Sequence, residues 1–398
     1  MDALRSRDPI SAAPGHGDSG AGPLADIRVL ELATGLAGPS AGAIMADFGA
    51  EVIKIELPGE APAAGDREAG LRLTNRNKKS VILDVRTPEG QEAFLALARE
   101  SDILLENFRP GTLERWGFDP QRLLEANPRL IVHRASGYGQ FGPYRERSSW
   151  NPVGIAFGGV TYLNGWPDRA PLRDGLMAGD YTTALFNVLG MLAAITRRDR
   201  DDTGQVVDVS MVESALRMTG DAIALRTALG VRAERAAGAW SIYPVSVTVE
   251  ATDGRYVALS CQSLDELHGA VVTLGLDAAG DLEAARAAIA AWARESSADE
   301  VVSRLRAAGI RCSVVNSAAE IYEHPQIWAR GNLVRWQHPE FGEVVTQGVM
   351  PTLTRTPGRV IGNAERGAHS EEVLRGILGY SDDRIAGLTG SDRARLTR

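Results

Sequence analysis

The sequence predicts an α/β protein built around a doubly wound parallel sheet. Segments typical of strands and of helices alternate from residue 27 to residue 136, which is the rhythm of parallel strands joined by helical crossovers. A different pattern, a hairpin signal followed by three helical segments, occupies the region from about 241 to 308. With 398 residues, the chain is long enough for two domains, or for one large domain with an insertion.

The composition excludes several classes of function. A net charge of −8 provides no positive field for nucleic acid or an anionic membrane surface. No segment has the run of about 20 apolar residues that a membrane-spanning helix requires. Cys261 and Cys312 lack the spacing of a metal site and suit a reducing compartment, so we predict a cytoplasmic protein without a metal. Residues 1–23, rich in Gly, Ala, Ser and Asp, are predicted to be a disordered tail.

The first 136 residues contain short apolar strands and helices with recognisable starts. Thr87 is a suitable helix cap, and Pro88 suits the first helical position. In chain order, the predicted elements are strand 27–32, helix 38–50, strand 51–57, strand 80–85, helix 87–101, strand 102–108, helix 119–128 and strand 130–136.

The pattern changes after residue 137, where glycine-rich and aromatic loops surround a short helix. The Asp253–Gly254 pair predicts the turn of a β-hairpin. The other elements predicted here are a long helix 180–197, a strand and helix within 203–218, a linker helix 222–240 that becomes less regular, helices 265–275, 282–295 and 298–308, short strands after 325 and a final helix 370–378.

Asp180 is the single charged residue in the segment GLMAGDYTTALFNVLGMLAAI. It either caps the helix that follows or acts as a nucleophile, and the residues alone leave both roles open. The positive end of the helix dipole favours an ionised carboxylate at this position.

Other motifs indicate a nucleotide-like ligand only weakly. The basic segment NRNKKS (75–80) and the segment ENFRPGTLERWG (106–117) lie at strand ends, where open α/β sheets bind ligands. The first strand–turn–helix unit lacks GxGxxG, so a nicotinamide enzyme has only the generic fold in its favour. The chain also lacks the GxSxG of a serine hydrolase, and its histidines have no metal-ligand spacing.

Several motifs closely resemble the class III CoA-transferases, the family of formyl-CoA transferase and carnitine CoA-transferase. The similarity extends over nearly the whole chain from about residue 24. The segments that carry it are ADIRVLELATGLAGPSAGAIMADFGAEVIKIELPG, NRNKKSVILDVRTPEGQEAF, DILLENFRPGTLERWGFDPQRLLEANPRLIVHRASGYGQFGP, TGQVVDVSMVESAL, YEHPQIWARGNLV and GAHSEEVLRGILGY.

The resemblance implies a large Rossmann-like domain formed by both chain ends, a small inserted α+β domain and an interlocked homodimer. The bounds expected on this basis are a tail at 1–23, the large domain at 24–205, a linker helix at 206–240, the small domain at 241–325 and a return to the large domain at 326–398.

The resemblance also implies a reaction and a site. Asp180 would attack an acyl-CoA donor to form an acyl-aspartyl anhydride and then an aspartyl-CoA thioester, from which a carboxylic acid acceptor takes the CoA. Coenzyme A would be a substrate, with no permanently bound cofactor. The residues carried over for CoA binding are Gly35, Leu36, Ala37, Lys78, Asn107, Phe108 and Arg115. Trp150 and Arg173 are further candidates for contact with the substrate.

The sequence departs from the family pattern in ways that leave alternatives open. Leu57 replaces an arginine of well-known relatives, and ALSCQS stands where they carry a glycine-rich loop. An α-methylacyl-CoA racemase would use the same aspartate with a histidine, but Trp150 occupies that position. A racemase needs a second group to protonate the opposite face. The third reading is a CoA-binding protein without turnover.

Overall fold

The structure is a computed structural model that describes residues 22–59, 73–236, 245–276, 281–338 and 341–389. Residues 1–21 of the predicted tail and residues 237–240 of the predicted linker helix lie outside the described residues. The described chain forms two compact units. The first takes its residues from 1–160, 174–220 and 325–398, and the second from 161–173 and 221–324.

A six-stranded parallel sheet is the centre of the first unit. Its strands are β1 (Arg28–Leu32), β2 (Glu51–Glu56), β3 (Lys79–Ile82), β4 (Ile103–Glu106), β5 (Ile131–Ser136) and β6 (Gln205–Ser210). They lie in the order β3-β2-β1-β4-β5-β6, with every neighbouring pair parallel. The predicted α/β class with a parallel sheet is confirmed. This order reverses direction between β1 and β4, where doubly wound sheets open a crevice for ligands.

Helices connect the strands of the first unit and cover the sheet. Those that precede β6 in the chain are α1 (Ala37–Asp47), α2 (Pro88–Arg99), α3 (Thr112–Arg115), α4 (Pro120–Ala126), α5 (Asn151–Phe157) and α7 (Ala178–Asp201). The short helix α6 (Val160–Leu163) begins at the last residue of one segment of the first unit, and its other residues belong to the second unit. α8 (Met211–Met218) follows β6 directly. The predicted start of α2 is confirmed, since Thr87 Oγ1 accepts a hydrogen bond from Gly90 N at 3.1 Å and Pro88 takes the first helical position.

Alternation along the strands divides the core of this unit between the two faces of the sheet. In β4, Leu104 packs with Phe94 and Phe118, whereas Ile103 and Leu105 pack in the other apolar cluster, with Met191 of α7. Strands buried on both faces are apolar throughout, which explains why these segments are easily predicted from sequence.

The C-terminal segment packs against the outer strand of the same sheet. It contains α14 (Pro325–Ala329), β10 (Leu333–His338), β11 (Gly342–Gln347), α15 (Ser370–Leu378) and α16 (Asp382–Thr389). The Ser370 hydroxyl accepts a hydrogen bond from Ile82 N of β3 at 3.0 Å, and Arg76 Nη1 donates to Gln347 O at 2.5 Å. The predicted helix 370–378 is confirmed, and α16 is a further helix that the sequence analysis did not predict.

The second unit is a smaller α+β assembly with its own core. β7 (Val245–Glu250), β8 (Tyr256–Cys261) and β9 (Arg311–Val314) form an antiparallel sheet. Its helices are α9 (Ala222–Leu229), α10 (Leu264–Thr273), α11 (Leu282–Ala293), α12 (Ala298–Ala307) and α13 (Ala318–Glu323). The hairpin turn at Gly254, with φ of +75°, is confirmed, whereas β9 was not predicted.

The helix predicted for 222–240 is too long. α9 ends at Gly230, whose φ of +71° is the left-handed conformation that commonly terminates a helix, and residues 231–236 form no regular element.

Candidate active site

A cavity of about 290 Å³ opens in the first unit at the carboxyl ends of β1, β4 and β5. This is the point where the strand order reverses, which is the usual ligand position in an open α/β sheet. Its walls are Thr34, Gly35, Leu36, Ala37, Asn107, Phe108, Arg109, Pro110, Ala135, Ser136, Gly137, Arg147, Ser148, Ser149, Trp150, Asp180, Thr183 and Met211. The cavity therefore brings together Asp180, the 35–37 turn, Asn107, Phe108 and Trp150 from the predicted site.

Asp180 lies in the first turn of α7 but does not cap it. Asn151 Oδ1 accepts hydrogen bonds from Gly179 N at 2.8 Å and from Asp180 N at 3.2 Å. Asp174 Oδ2 accepts from Ala178 N at 3.0 Å. Other residues thus satisfy the free N–H groups of the helix start, and the capping role considered for Asp180 is wrong. Among the described residues, none donates a hydrogen bond to the Asp180 carboxylate.

Burial and, to a smaller extent, the negative charge of Asp174 together raise the pKa of Asp180 to about 6. Desolvation and a like charge act against the helix dipole, which favours the ionised form of this carboxyl group. At neutral pH the ionised form still predominates. Asp180 is thus a half-buried, charged carboxylate that lines the cavity and accepts no hydrogen bond from the described residues.

Asn107 fixes the turn after β1, which forms another part of the cavity wall. Its side-chain amide accepts from Thr34 N at 2.9 Å and donates to Thr34 O at 2.7 Å. Both polar ends of the amide are occupied, so Asn107 positions the turn at the end of β1. Gly35 in this turn has a φ of +71°, which favours glycine, and a side chain added there would approach the Trp150 ring at 4.0 Å.

The backbone of Phe108 is held by Glu106, which also pairs with Arg134. Glu106 Oε2 accepts from Phe108 N at 2.7 Å, and Glu106 Oε1 accepts from Arg134 Nε at 2.7 Å. Burial raises the pKa of Glu106 to about 7, although Arg134 opposes that rise. The Phe108 ring also meets the edge of the Trp116 ring, with 4.9 Å between centroids. These contacts fix the Phe108 ring in the cavity wall.

The structure does not bring Lys78 into the cavity. Its ammonium is buried, and it donates to Glu31 Oε2 at 2.5 Å and to Pro39 O at 2.7 Å. Lys54 Nζ donates to Glu31 Oε1 at 3.0 Å from the other side. Burial lowers the pKa of Lys78 to about 8, while Glu31 acts in the opposite direction. The predicted phosphate contact of Lys78 is corrected to a structural contact beneath the start of α1, because its charge is already matched.

The predicted arginines also lie elsewhere. Arg115 is on α3 outside the cavity wall, and its Nη2 donates to Thr112 Oγ1 at 2.8 Å. Arg173 belongs to the second unit and does not line the cavity. The cavity wall instead contains Arg109, which follows β4, and Arg147, which precedes α5.

Sequence reasoning did not identify two residues of this site. Asn151 anchors the first turn of α7, and Arg147 lines the cavity. Asn151 directly follows Trp150, a candidate substrate contact, but its own role depends on a hydrogen bond to a residue 28 positions later in the chain, which a single sequence does not reveal.

The described residues provide neither a membrane-spanning helix nor a metal-binding cluster. None of the helices in the described ranges is both long enough and apolar enough to cross a membrane. The same residues contain no group of three or more His, Cys, Asp or Glu side chains arranged for a metal ion.

Known proteins are similar in sequence to this chain over nearly its full length. The model of CoA-transferase family III matches residues 24–370. A succinyl-CoA–D-citramalate CoA-transferase of Chloroflexus aurantiacus is 36% identical, over 92% of this chain and 96% of that protein. A succinyl-CoA–L-malate CoA-transferase alpha subunit of Chloroflexus aurantiacus is also 36% identical, over 95% of this chain and 94% of that protein.

The fold is likewise found in a solved structure. A CAIB/BAIF family protein from Brucella suis matches with a TM-score of 0.79 and 28% sequence identity. The match covers 90% of this chain and 100% of that chain.

Proposed function

The chain is an enzyme of CoA-transferase family III, and on this premise we propose that it moves coenzyme A from an acyl-CoA thioester to a free carboxylic acid through covalent intermediates on Asp180. The observation that carries this proposal is the state of the Asp180 carboxylate. It faces a cavity at the strand-order reversal, its helix start is capped by other residues, and no described residue donates a hydrogen bond to it.

The first two steps transfer CoA to the protein. A carboxylate oxygen of Asp180 attacks the thioester carbonyl carbon, and the carbon–sulfur bond breaks. The products are a mixed anhydride between the acyl group and Asp180, and the CoA thiolate. The thiolate then attacks the Asp180 carbonyl carbon and displaces the original acid as its carboxylate. An aspartyl-CoA thioester remains, and no proton is gained or lost.

The last two steps repeat this chemistry in reverse with the acceptor. The acceptor carboxylate attacks the aspartyl carbonyl carbon, which releases the CoA thiolate and forms a second anhydride. The thiolate attacks the acceptor carbonyl carbon and returns Asp180 as a carboxylate. Because a carboxylate is a weak nucleophile, positioning of the reacting groups has to supply much of the rate.

The turn at 35–37 and the start of α1 supply polar groups for the thioester. The first N–H groups of a helix have no acceptor within the helix, so they suit a developing oxyanion or a phosphate. Leu36 caps α1 without a side-chain hydrogen bond, which leaves this helix end accessible from the cavity. We assign Gly35, Leu36, Ala37 and Phe108 to contact with CoA, and Arg109 takes the phosphate role first considered for Arg115.

A dicarboxylic acid is the substrate class we propose. The two succinyl-CoA-dependent relatives act, by their names, on citramalate or malate. In this chain the cavity that contains Asp180 contains another arginine besides the phosphate candidate Arg109, namely Arg147. A second carboxylate on the substrate needs such a cation when it leaves water.

The cavity favours transfer over racemisation. Racemisation needs a second proton-transfer group opposite Asp180, and no histidine is present among the described residues of the cavity wall. Trp150 occupies the position of that histidine and has no proton to exchange at neutral pH.

We further propose that the active form is an interlocked homodimer in the cytoplasm. α7 buries Ala184, Met191 and Ile195, yet another stripe of the same helix exposes large apolar side chains. These are Tyr181, Leu185, Leu189 and Leu192. A contiguous exposed apolar stripe of this kind supports contact with another protein surface.

Isotope exchange between an acid and its own CoA thioester tests the reaction. The enzyme should move label from succinate into succinyl-CoA without any third substrate, as a covalent half-reaction requires. Asp180→Asn should abolish the exchange while a melting shift with CoA persists. Retained exchange in Asp180→Asn would contradict the covalent role of this residue. Release of free CoA without exchange would indicate a hydrolase.

A further inference from the structure

Arg147 is held in the cavity wall by an aromatic ring. Its guanidinium carbon lies 3.4 Å from the centroid of the Tyr144 ring, and its backbone N–H donates to Tyr144 O at 2.8 Å. Tyr144 in turn packs edge-on against Tyr138 and Phe157, with centroid distances of 5.9 and 5.7 Å. The stacking restricts the guanidinium to one plane, because a cation over a ring face is favourable there.

The N–H groups of the Arg147 guanidinium have no hydrogen-bond acceptor among the described residues. Within the described ranges, no carboxylate or carbonyl oxygen accepts a hydrogen bond from it. The neighbouring arginine on the same loop differs, since Arg145 lies 3.5 Å from Glu146 and does not line the cavity. A stacked guanidinium keeps its in-plane N–H groups free, and these match the two oxygens of a carboxylate.

Only one of the substrate's carboxyl groups reacts at Asp180. A monocarboxylic acid has no second carboxyl group, so it offers Arg147 no carboxylate to pair with. In a dicarboxylic acid the second carboxylate enters a cavity that already contains the negative charge of Asp180. Arg147 is exposed in the cavity wall, and a cation held there by the Tyr144 ring offsets that repulsion and can pair with the second carboxylate through two N–H groups.

We propose that Arg147 is a specificity-determining residue that binds the second carboxylate of a dicarboxylic acid or of its CoA thioester. This inference rests on the proposed CoA-transferase function and places at Arg147 the substrate contact that was expected at Arg173, which does not line the cavity. Tyr144 positions the guanidinium by stacking and does not itself contact the substrate.

The test compares two acids of equal chain length, succinate and butyrate, each exchanging label with its own CoA thioester. In Arg147→Gln, the ratio of kcat/KM for succinate to kcat/KM for butyrate should fall about ten- to a hundredfold, the effect of losing a charge-assisted hydrogen bond. The loss should lie mainly in the KM for succinate. Arg147→Lys should restore the ratio in part, because it retains the charge but not the planar fork.

Arg145→Gln is the matched control, since it removes an arginine from the same loop outside the cavity, and its ratio should equal that of the wild type. Melting temperatures of all three variants report whether they fold. An unchanged ratio in folded Arg147→Gln overturns the proposal, as does a wild-type enzyme that prefers butyrate. Absence of exchange by the wild type with every acid–thioester pair contradicts the proposed function itself, which distinguishes the two failures.

Discussion

Asp174 and Asp180 lie six positions apart near the start of α7, but they have different roles. Asp174 accepts hydrogen bonds from Ala178 N and from Asn151 Nδ2, the latter at 3.3 Å, and so completes the helix start. Asp180 accepts none from the described residues and is left for chemistry. The charge of Asp174 nevertheless reaches Asp180, because it contributes to the raised pKa of that carboxyl group.

The interaction between Asp174 and Asp180 predicts how kcat/KM falls on the acid side of its pH profile. The pKa of Asp180 is raised to about 6, so kcat/KM for an acyl-CoA should fall as the pH drops below about 6, where the carboxyl group becomes neutral and cannot attack. Asp174→Asn retains an oxygen for Ala178 N but removes the charge. Its acid limb should therefore move to lower pH.

Initial-rate measurements of kcat/KM between pH 4.5 and 8 in both proteins check this, with Arg145→Gln as a control whose limb stays in place. A limb that is the same in the wild type and in Asp174→Asn would show that Asp174 does not act on the reacting group.

At the scale of the element, α1 depends on close approach between its backbone and a buried ion pair. Small residues fill this helix, and Gly42 lies directly over Glu31. A Cβ at Gly42 would lie 1.9 Å from Glu31 Oε2 and 3.0 Å from Lys78 Nζ. Glu31 cannot move aside freely, because Lys54 and Lys78 hold its two oxygens.

Gly42→Ala should therefore destabilise the protein by about 3 kcal/mol, since it overfills the site and disturbs a buried ion pair. Gly376→Ala is the matched control. This exposed position in α15 has nothing within 4 Å of an added Cβ, so the same change should stabilise the protein by about 0.5–1 kcal/mol. Urea unfolding of the two variants gives the comparison. Equal stability of Gly42→Ala and the wild type would contradict the role given to this contact.

For the whole molecule, the exposed stripe on α7 predicts self-association. Leu185 and Leu189 are 61% and 60% exposed on a helix that otherwise packs in the core. Sedimentation at micromolar concentration should give twice the chain mass of 42.5 kDa. The double variant Leu185→Lys and Leu189→Lys should shift the mass toward that of a single chain or fail to accumulate as folded protein.

Val272→Lys is the control, because Val272 is 74% exposed on α10 without such a stripe, and it should leave the mass of the assembly unchanged. A wild-type protein that sediments with the mass of a single chain at these concentrations would contradict the proposed homodimer.

The sequence predicts most of the sheet, because short, fully apolar strands and capped helices leave strong local signals, as at Thr87 and Pro88. It misses β9 and α16. Four residues of mixed polarity, RCSV, carry little signal for a strand. α16 begins only four residues after α15 ends, and it buries only Ile385 and Thr389, so its apolar periodicity is weak.

The site is harder to predict, since its roles depend on contacts between distant residues. Lys78 belongs to a basic segment that suits a phosphate, yet it pairs with Glu31, which lies 47 residues earlier in the chain. Glu31 and Lys54 are direct neighbours across β1 and β2, a register that single-sequence reasoning does not give. Asp180 was identified correctly as the start of a long helix, but the residues that cap that helix became visible only in three dimensions.

The central claim is that Asp180 becomes covalently acylated, and chemical trapping tests it most directly. The enzyme is incubated with succinyl-CoA, treated with hydroxylamine, digested and mapped by mass spectrometry. A hydroxamate is expected on the peptide that contains Asp180, dependent on the thioester and absent in Asp180→Asn. An unmodified Asp180 in enzyme that is exchanging label between succinate and succinyl-CoA would contradict the claim.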